Sequence, residues 1–214
     1  MSVLLEHLPE LWQGLLVTFQ LIAASFALAA VLGVVVTAMR VSPVPVLRAL
    51  GTAYVETFQN LPLLVLLVLA FFGLPEIGIK ASALVTAIVV IGVYQAAYVA
   101  EALRSGVNSV GQGQGEAARA LGLTFTQSLR LVILPQALRT VVQPLGNVFI
   151  ALTMNTALAG AISVVDLTAV ANRVNLVEAQ PIAIFVGAGL AYAAVAAVVG
   201  FATTRLERRL VMVR

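Results

Sequence analysis

The stretch LLVTFQLIAASFALAAVLGVVVTAM, residues 15–39, contains no charged side chain. A helix needs about 20 consecutive apolar residues to cross a bilayer, and this stretch exceeds that length. Glu6 and Glu10 precede it, and no Lys or Arg occurs before Arg40, so it lacks the basic start of a secretory signal peptide. The sequence therefore predicts a helix that stays in the membrane.

The rest of the chain has the same character. Of its 214 residues, 61% are hydrophobic and 10% are charged, against about 45–50% and about 25% in soluble domains. Further uncharged apolar runs occupy residues 61–74, 81–100, 140–162 and 182–203. We therefore predict an all-α polytopic bundle with five transmembrane helices, formed as a single domain by residues 1–214. The second run is short, so we expect it to continue back across Pro62 in order to span.

The distribution of Lys and Arg predicts the orientation. With five crossings, Lys80 and Arg173 lie on one side of the membrane and all other basic residues, including Arg214, lie on the other. The positive-inside rule then places the N-terminus outside and the C-terminus in the cytoplasm. The same rule accounts for the basic pI near 9.8, and we expect no nucleic-acid partner. The longest cytoplasmic loop is residues 104–139, between the third and fourth crossings.

Motifs for nucleotide binding or hydrolysis are missing from the sequence. The nearest approach to a phosphate-binding loop, residues 73–80, has Ile79 between Gly78 and Lys80, and Gly111, Gly113 and Gly115 follow no buried strand. The chain contains no Cys and a single His, His7, and neither an HExxH nor a GxSxG motif. We therefore predict no catalytic residue, no metal site and no cofactor in this chain.

The cytoplasmic loop contains signals for compact local structure. Glu116 begins the helix-forming run EAARALG, in which we expect the carboxylate to lie in the first turn, and Gly122 follows as a left-handed cap. Thr124 and Gln127 have the spacing of a capping box, and Pro135 is expected to end or kink the second helix. The prediction is a rigid knob made of two short helices.

This knob would present small or apolar side chains to a partner. They are Ala117, Ala118, Ala120 and Leu121. A helix lying on lipid would carry bulkier apolar residues and several Lys. Docking into a groove of another protein is favoured, and a passive loop is the alternative.

Polar residues within or beside the apolar runs are candidates for a translocation path, because such residues face the bundle interior. They are Glu56, Gln59, Asn60, Gln95, Glu101, Asn147, Asn155 and Thr156. Asn155 and Thr156 are the first choice, since small residues surround them. Each residue has an alternative role as a hydrogen bond between helices, worth about 1 kcal/mol.

The loop also carries a family resemblance. Glu116-Ala117-Ala118, then Gly122, then VILP at residues 132–135 resembles the signature of permease subunits of bacterial ABC importers for polar amino acids. Similar stretches extend over about residues 10–210. TAMRVSP at 37–43 and FIALTMNTALAGAISV at 149–164 look most like the glutamate-type systems.

The resemblance implies a mechanism and a set of partners. Two permease subunits, identical or homologous, would form one pathway in the bacterial cytoplasmic membrane. Two ATPase subunits would bind ATP and Mg²⁺ and receive the Glu116 knob as a coupling helix, with Pro135 closing the motif. An extracytoplasmic binding protein would deliver the amino acid, with L-glutamate as the favoured substrate. The alternative function is a secondary amino-acid transporter or channel that needs no ATPase, although inverted repeats are not visible.

Overall fold

The computed structural model describes residues 2–211, so Arg214 lies outside the described part. That part contains helices and no strand. The helices are α1 Ser2–Glu6, α2 Leu8–Arg40, α3 Pro45–Asn60, α4 Leu63–Val68, α5 Leu74–Glu76, α6 Ala83–Ser109, α7 Gln112–Ala120, α8 Phe125–Ser128, α9 Leu134–Asn155, α10 Leu167–Glu178 and α11 Pro181–Val211. Two π-helical turns, Leu69–Gly73 and Leu129–Ile133, join consecutive helices without a break, and a 3₁₀ segment, Thr156–Ile162, continues directly from α9.

Four continuous helices are long and apolar enough to span a membrane. They are Leu8–Arg40, Ala83–Ser109, Phe125–Ile162 and Pro181–Arg209. A fifth span is possible only if Pro45–Asn60 and Leu63–Glu76, which meet at an angle of 100°, count as one. The predicted all-α membrane bundle is confirmed, with four spans or five depending on that bent pair.

The second predicted run does not extend back as a straight helix. Leu61 is extended, with φ −101° and ψ 139°, and it separates α3 from α4. The residue before a proline is pushed out of the helical region by the pyrrolidine ring, and Pro62 has no N–H to continue the hydrogen-bond ladder. Leu61 and Pro62 therefore separate α3 from α4, and the apolar run that begins at residue 61 is not continued backwards by a straight helix.

Pro135 does not end the second helix of the knob, because Phe125–Ile162 is one continuous helix. The π turn Leu129–Ile133 ends two residues before Pro135, and the π turn Leu69–Gly73 ends two residues before Pro75. A π turn is wider than an α turn, which gives the proline ring room against the preceding carbonyl groups. The helix is therefore able to pass the proline.

The core forms where α2, α6 and α9 cross. Leu21, Ile91 and Leu152, one from each helix, are fully buried. Gly106 of α6 lies so close to α9 that a Cβ there would overlap the side chain of Val141. Small residues at crossings let membrane helices approach closely, which strengthens van der Waals packing. These crossings fix the relative position of the α6 and α9 faces described below.

The helix α10 follows the long helix Phe125–Ile162 and is anchored by polar contacts. The fully buried Asp166 caps it by accepting from Ala169 N at 2.9 Å, and also accepts from the Tyr192 hydroxyl at 3.1 Å. The Leu167 amide donates to the Thr18 hydroxyl of α2 at 3.1 Å. These bonds hold α10 against both α2 and α11.

A charged contact joins the other end of α10 to the N-terminal region. His7 Nε2 lies 3.1 Å from Glu178 Oε1, and His7 Nδ1 lies 3.3 Å from Glu10 Oε1. The hydrogen bond to Glu178, followed by that to Glu10, raises the pKa of His7 above its ordinary value of 6.5. Protonated His7 is therefore favoured at this junction.

Candidate translocation cleft and coupling surface

A cleft of about 320 Å³ lies between α6 and α9. Its lining residues are Tyr94, Gln95, Tyr98, Asn147, Val148, Ala151 and Asn155. The structure thus brings together Gln95, Asn147 and Asn155 of the predicted translocation residues. Gln95 lies near the middle of α6 and Asn147 lies within α9, whereas Asn155 is the last residue of α9, where the 3₁₀ segment of the spanning helix Phe125–Ile162 begins.

Helical periodicity positions the walls of the cleft. Tyr94 and Tyr98 are four residues apart on α6, and their hydroxyl oxygens lie 3.0 Å apart. Asn147, Ala151 and Asn155 are also spaced by four, which places them on one face of α9. Residues at this spacing form a continuous stripe along a helix.

Gln95 forms the buried part of the cleft. Its side chain is 1% exposed, and its Nε2 donates to the Val148 carbonyl oxygen of α9 at 3.4 Å. A buried carboxamide needs partners, and this bond satisfies one donor while the side-chain oxygen stays available. Gln95 therefore links the two walls of the cleft.

The sequence prediction missed Tyr94, Tyr98 and Ala151. Tyr94 and Tyr98 lie in a run that reads as apolar, and only their spacing of four, shared with the neighbouring Gln95, signals a common face. The chemistry of the cleft is that of phenol hydroxyls and carboxamides, with no acid or base among its seven lining residues. These five side chains are able to form hydrogen bonds with polar groups, while most of the surface that the cleft exposes is apolar.

Thr156 and Glu101 lie elsewhere. Thr156 is fully buried and its hydroxyl donates to the Thr153 carbonyl oxygen at 2.7 Å, which occupies it within the helix. Glu101 accepts from Arg40 of α2 and from Arg104 of α6, with Arg104 Nε at 3.2 Å. Glu101 therefore joins the ends of two spanning helices through charge-assisted hydrogen bonds.

The remaining candidates lie together at the bend between α3 and α4, outside the cleft. Glu56 and Asn60 are exposed, and Asn60 Nδ2 donates to the Glu56 carbonyl oxygen at 2.7 Å. Gln59 Nε2 donates to the Ala97 carbonyl oxygen of α6 at 3.5 Å. The side chain of Gln59 thus connects these three residues to α6.

The predicted knob is built around α7. The helix begins at Gln112, so the expectation that Glu116 lies in the first turn is wrong, and Gly113 and Gly115 lie inside the helix. Gly122 has φ +80°, which confirms the predicted left-handed cap. Its N–H donates to the Arg119 carbonyl oxygen at 2.9 Å. Together with the bond from Leu123 N to Ala118 O at 3.1 Å, this is a Schellman motif.

The second predicted start signal is also confirmed. The Thr124 hydroxyl accepts from Gln127 N at 3.3 Å, and Gln127 Oε1 accepts from Thr124 N at 2.9 Å. This capping box begins α8 directly after α7 ends. The knob therefore consists of α7, a sharp turn and the start of the long helix Phe125–Ile162, rather than of two separate short helices.

One face of the knob is open to a partner. Glu116, Ala117 and Ala120 are exposed, as are Gly122 and Pro135. Leu121 is 83% exposed and Phe125, which the sequence prediction did not single out, is 69% exposed.

Ala118 departs from the expectation. It is 3% exposed and faces the protein, because α7 packs against the π turn Leu129–Ile133 and α8 on that side. We use the term coupling surface for the exposed residues Glu116, Ala117, Ala120, Leu121 and Phe125.

Within residues 2–211, no group of three or more His, Cys, Asp or Glu side chains is arranged to hold a metal ion.

A family model, described as the inner membrane component of binding-protein-dependent transport systems, matches residues 25–212. The chain belongs to this family. It is accordingly a multi-pass transport subunit of the inner membrane.

Individual relatives are similar over most of the chain. The probable glutamine ABC transporter permease protein GlnP of Bacillus subtilis is 41% identical, over 95% of each chain. The glutamate transport system permease protein GluC of Corynebacterium efficiens is 43% identical, over 73% of this chain and 72% of its own length. These relatives confirm the resemblance to permeases of bacterial amino-acid ABC importers.

The fold matches a solved structure closely. A crystal structure of an amino acid ABC transporter with histidines superimposes with a TM-score of 0.91 at 29% identity, over 96% of both chains. The similarity therefore includes the arrangement of the helices as well as the sequence signature. The relatives are transport permeases, which confirms that the chain is a transport subunit and not an enzyme.

Proposed function

We propose that this chain is the permease subunit of an ATP-driven ABC importer and carries a polar amino acid of the glutamate and glutamine class through the cleft between α6 and α9. The observation that carries the proposal is that two phenol and three carboxamide side chains are among the seven that line this cleft between two spanning helices. Polar groups at that depth are costly to bury without a function or a partner. The names of the relatives GlnP and GluC support the substrate class.

A second permease subunit, homologous or identical, covers the cleft in this proposal. Asn147 and Ala151 are exposed on the surface of the isolated chain. A carboxamide in contact with lipid tails would lose its hydrogen bonds to water without replacement. Protein or water on the other side of the cleft removes that cost, and two facing clefts would enclose one pathway.

Two ATPase subunits bind the coupling surface from the cytoplasm. Leu121 and Phe125 are large apolar side chains exposed outside the predicted bilayer region. Such exposure marks an interaction site, and Glu116 adds a charge that fixes its orientation. ATP and Mg²⁺ are held by those ATPase subunits, so this chain needs no cofactor of its own.

The Schellman motif at Gly122 and the capping box at Thr124 tie α7 rigidly to the long helix Phe125–Ile162. The same helix carries Asn147 and Asn155, so a displacement of α7 by the ATPase moves one wall of the cleft. An extracytoplasmic binding protein delivers the amino acid from the side of the membrane opposite to the ATPase subunits.

Reconstitution tests this function. The chain is placed in proteoliposomes with its companion permease, ATPase and binding protein, and amino-acid-stimulated ATP hydrolysis and uptake are measured. We expect both activities to require ATP and the binding protein. The control is the same assembly with an ATPase subunit that binds ATP but does not hydrolyse it. Uptake that persists without hydrolysis would instead support a secondary transporter or channel.

A further inference from the structure

We propose that the cleft between α6 and α9 selects amino acids whose side chain is polar but uncharged, a carboxamide above all, and disfavours those with a side-chain carboxylate. This inference rests on the proposed function, because it concerns the same cleft. It separates glutamine from glutamate, which are nearly equal in size and differ in charge. It also departs from the sequence-based preference for glutamate.

The lining of the cleft carries no charged side chain. The seven residues around the cleft include two phenols and three carboxamides, but no Lys, Arg, His, Asp or Glu. The nearest basic residues along α6 and α2 are Arg104 and Arg40, and both donate to the carboxylate of Glu101. Neither arginine lines the cleft. A carboxylate entering this space meets no counter-charge from this chain.

The carboxamides of the lining have hydrogen-bonding groups that the protein leaves unused. Among the described residues, the side chains of Asn147 and Asn155 make no hydrogen bond to another protein group. Gln95 uses one donor on the Val148 carbonyl and keeps its oxygen available. A carboxamide ligand both donates and accepts, as do the carboxamides and phenols that surround it. Such a ligand finds partners for its N–H groups as well as for its oxygen.

Glutamine and glutamate differ in the net charge that they bring into the cleft. Both carry an α-ammonium and an α-carboxylate whose charges cancel, so glutamine enters with no net charge and glutamate enters as an anion. Moving an uncompensated charge away from water is far more costly than moving a hydrogen-bonded amide. A water-filled cleft reduces that difference, and we expect about a tenfold preference for glutamine.

Ligand binding to the membrane complex tests this directly. The chain is assembled in nanodiscs with its companion permease and ATPase subunits but without the binding protein, whose own selectivity is thereby removed. Equilibrium binding of radiolabelled glutamine and glutamate is measured near neutral pH. We expect glutamine to bind about tenfold more tightly in the wild type.

A matched pair of variants tests whether charge is the cause. Ala151→Lys places a cation in the cleft and is expected to shift the ratio of the two affinities by about tenfold towards glutamate. Ala151→Gln adds similar bulk without charge, and we expect it to weaken both ligands while leaving their ratio unchanged. Size-exclusion chromatography verifies assembly, and Asn155→Lys provides the same test if Ala151→Lys does not assemble.

Different results of these binding measurements would contradict the selectivity inference and the assignment of the cleft as the substrate site. Equal or tighter binding of glutamate by the wild type, or a ratio unaffected by the added lysine, would overturn the selectivity inference and leave amino-acid import intact. Saturable binding of neither amino acid would overturn the assignment of the cleft as the substrate site, and the inference with it.

Discussion

The hydroxyl oxygens of Tyr94 and Tyr98 lie 3.0 Å apart, one turn from each other on α6, and both side chains line the cleft that faces Asn147 and Asn155. The pair shares one hydrogen bond, so a second hydroxyl hydrogen and several lone pairs stay available to a ligand. The two tyrosines therefore extend the polar surface of the cleft by a full turn of α6.

Removing one hydroxyl tests this contribution. Tyr98→Phe keeps the ring and is expected to raise the KM for uptake about fivefold, the effect of losing roughly 1 kcal/mol of hydrogen bonding. Uptake by reconstituted proteoliposomes provides the measurement, and the yield of assembled complex checks folding. An unchanged KM would show that the Tyr98 hydroxyl does not contact the substrate.

Charge reversal on the coupling surface is expected to abolish docking of the ATPase. Glu116 is exposed at the second turn of α7, where a lysine is accommodated without steric strain in this chain. We expect Glu116→Lys to reduce the ATPase that co-purifies with the permease by at least about tenfold, because a like charge in an interface costs more than the lost attraction. Co-purification followed by quantitative blotting measures it.

The matched control for that reversal is Glu76→Lys. Glu76 is also exposed, but it lies in α5 on the side of the membrane predicted to face outwards. The substitution Glu76→Lys should leave ATPase co-purification at the wild-type level. Normal ATPase binding and ATP-dependent uptake in Glu116→Lys would contradict the role assigned to α7.

The close approach of α6 and α9 predicts a large difference between two glycines. A Cβ at Gly106 would overlap the Val141 side chain, whereas a Cβ at Gly189 of α11 meets no atom within 4 Å. Gly106→Val is therefore expected to destabilise the protein by about 1–3 kcal/mol through overpacking. Gly189→Val should lower the stability of the protein much less. Thermal unfolding of the purified proteins compares them, and similar losses in both would contradict the described crossing.

The junction of His7 with Glu178 predicts a pH dependence. The pKa of His7 is raised in the folded protein, so the contribution of this contact to stability is fully present below the ordinary pKa of 6.5 and is lost as the pH rises through the higher folded value. We expect the difference in melting temperature between wild type and His7→Asn to shrink as the pH rises through that range. A difference independent of pH would assign the contact to packing alone.

Local signals in the sequence predicted local structure well. Gly122 and the pair Thr124 and Gln127 act through bonds to residues a few positions away, so their geometry is readable from spacing. Tertiary relations were less accessible. The break at Leu61 arises from a proline that hydropathy does not weigh, and α10 depends on the buried Asp166, whose partner Tyr192 is 26 residues away.

The cleft also combines features that are predicted from local sequence with features that depend on tertiary packing. The polarity of Gln95, Asn147 and Asn155 within apolar runs predicts that they face the bundle interior, which holds for the buried Gln95, whereas Asn147 is exposed on the isolated chain. Which of the polar candidates meet depends on the crossing of α6 with α9, and the crossing depends on the contact between Gly106 and Val141. Thr156, adjacent to Asn155, lies outside the cleft because successive helical residues point in different directions, and its side chain is fully buried.

The most direct test of the cleft as the substrate site uses the lack of cysteine in this chain. Ala151→Cys introduces a single thiol on the cleft wall, and Val198→Cys introduces one on the exposed surface of α11 as a control. The rate of modification of each by a methanethiosulfonate reagent is measured by mass spectrometry of this chain in the assembled transporter. We predict that the transported amino acid slows modification of Ala151→Cys and leaves that of Val198→Cys unchanged. Equal rates for Ala151→Cys with and without saturating amino acid, in a transporter that retains uptake, would contradict the assignment.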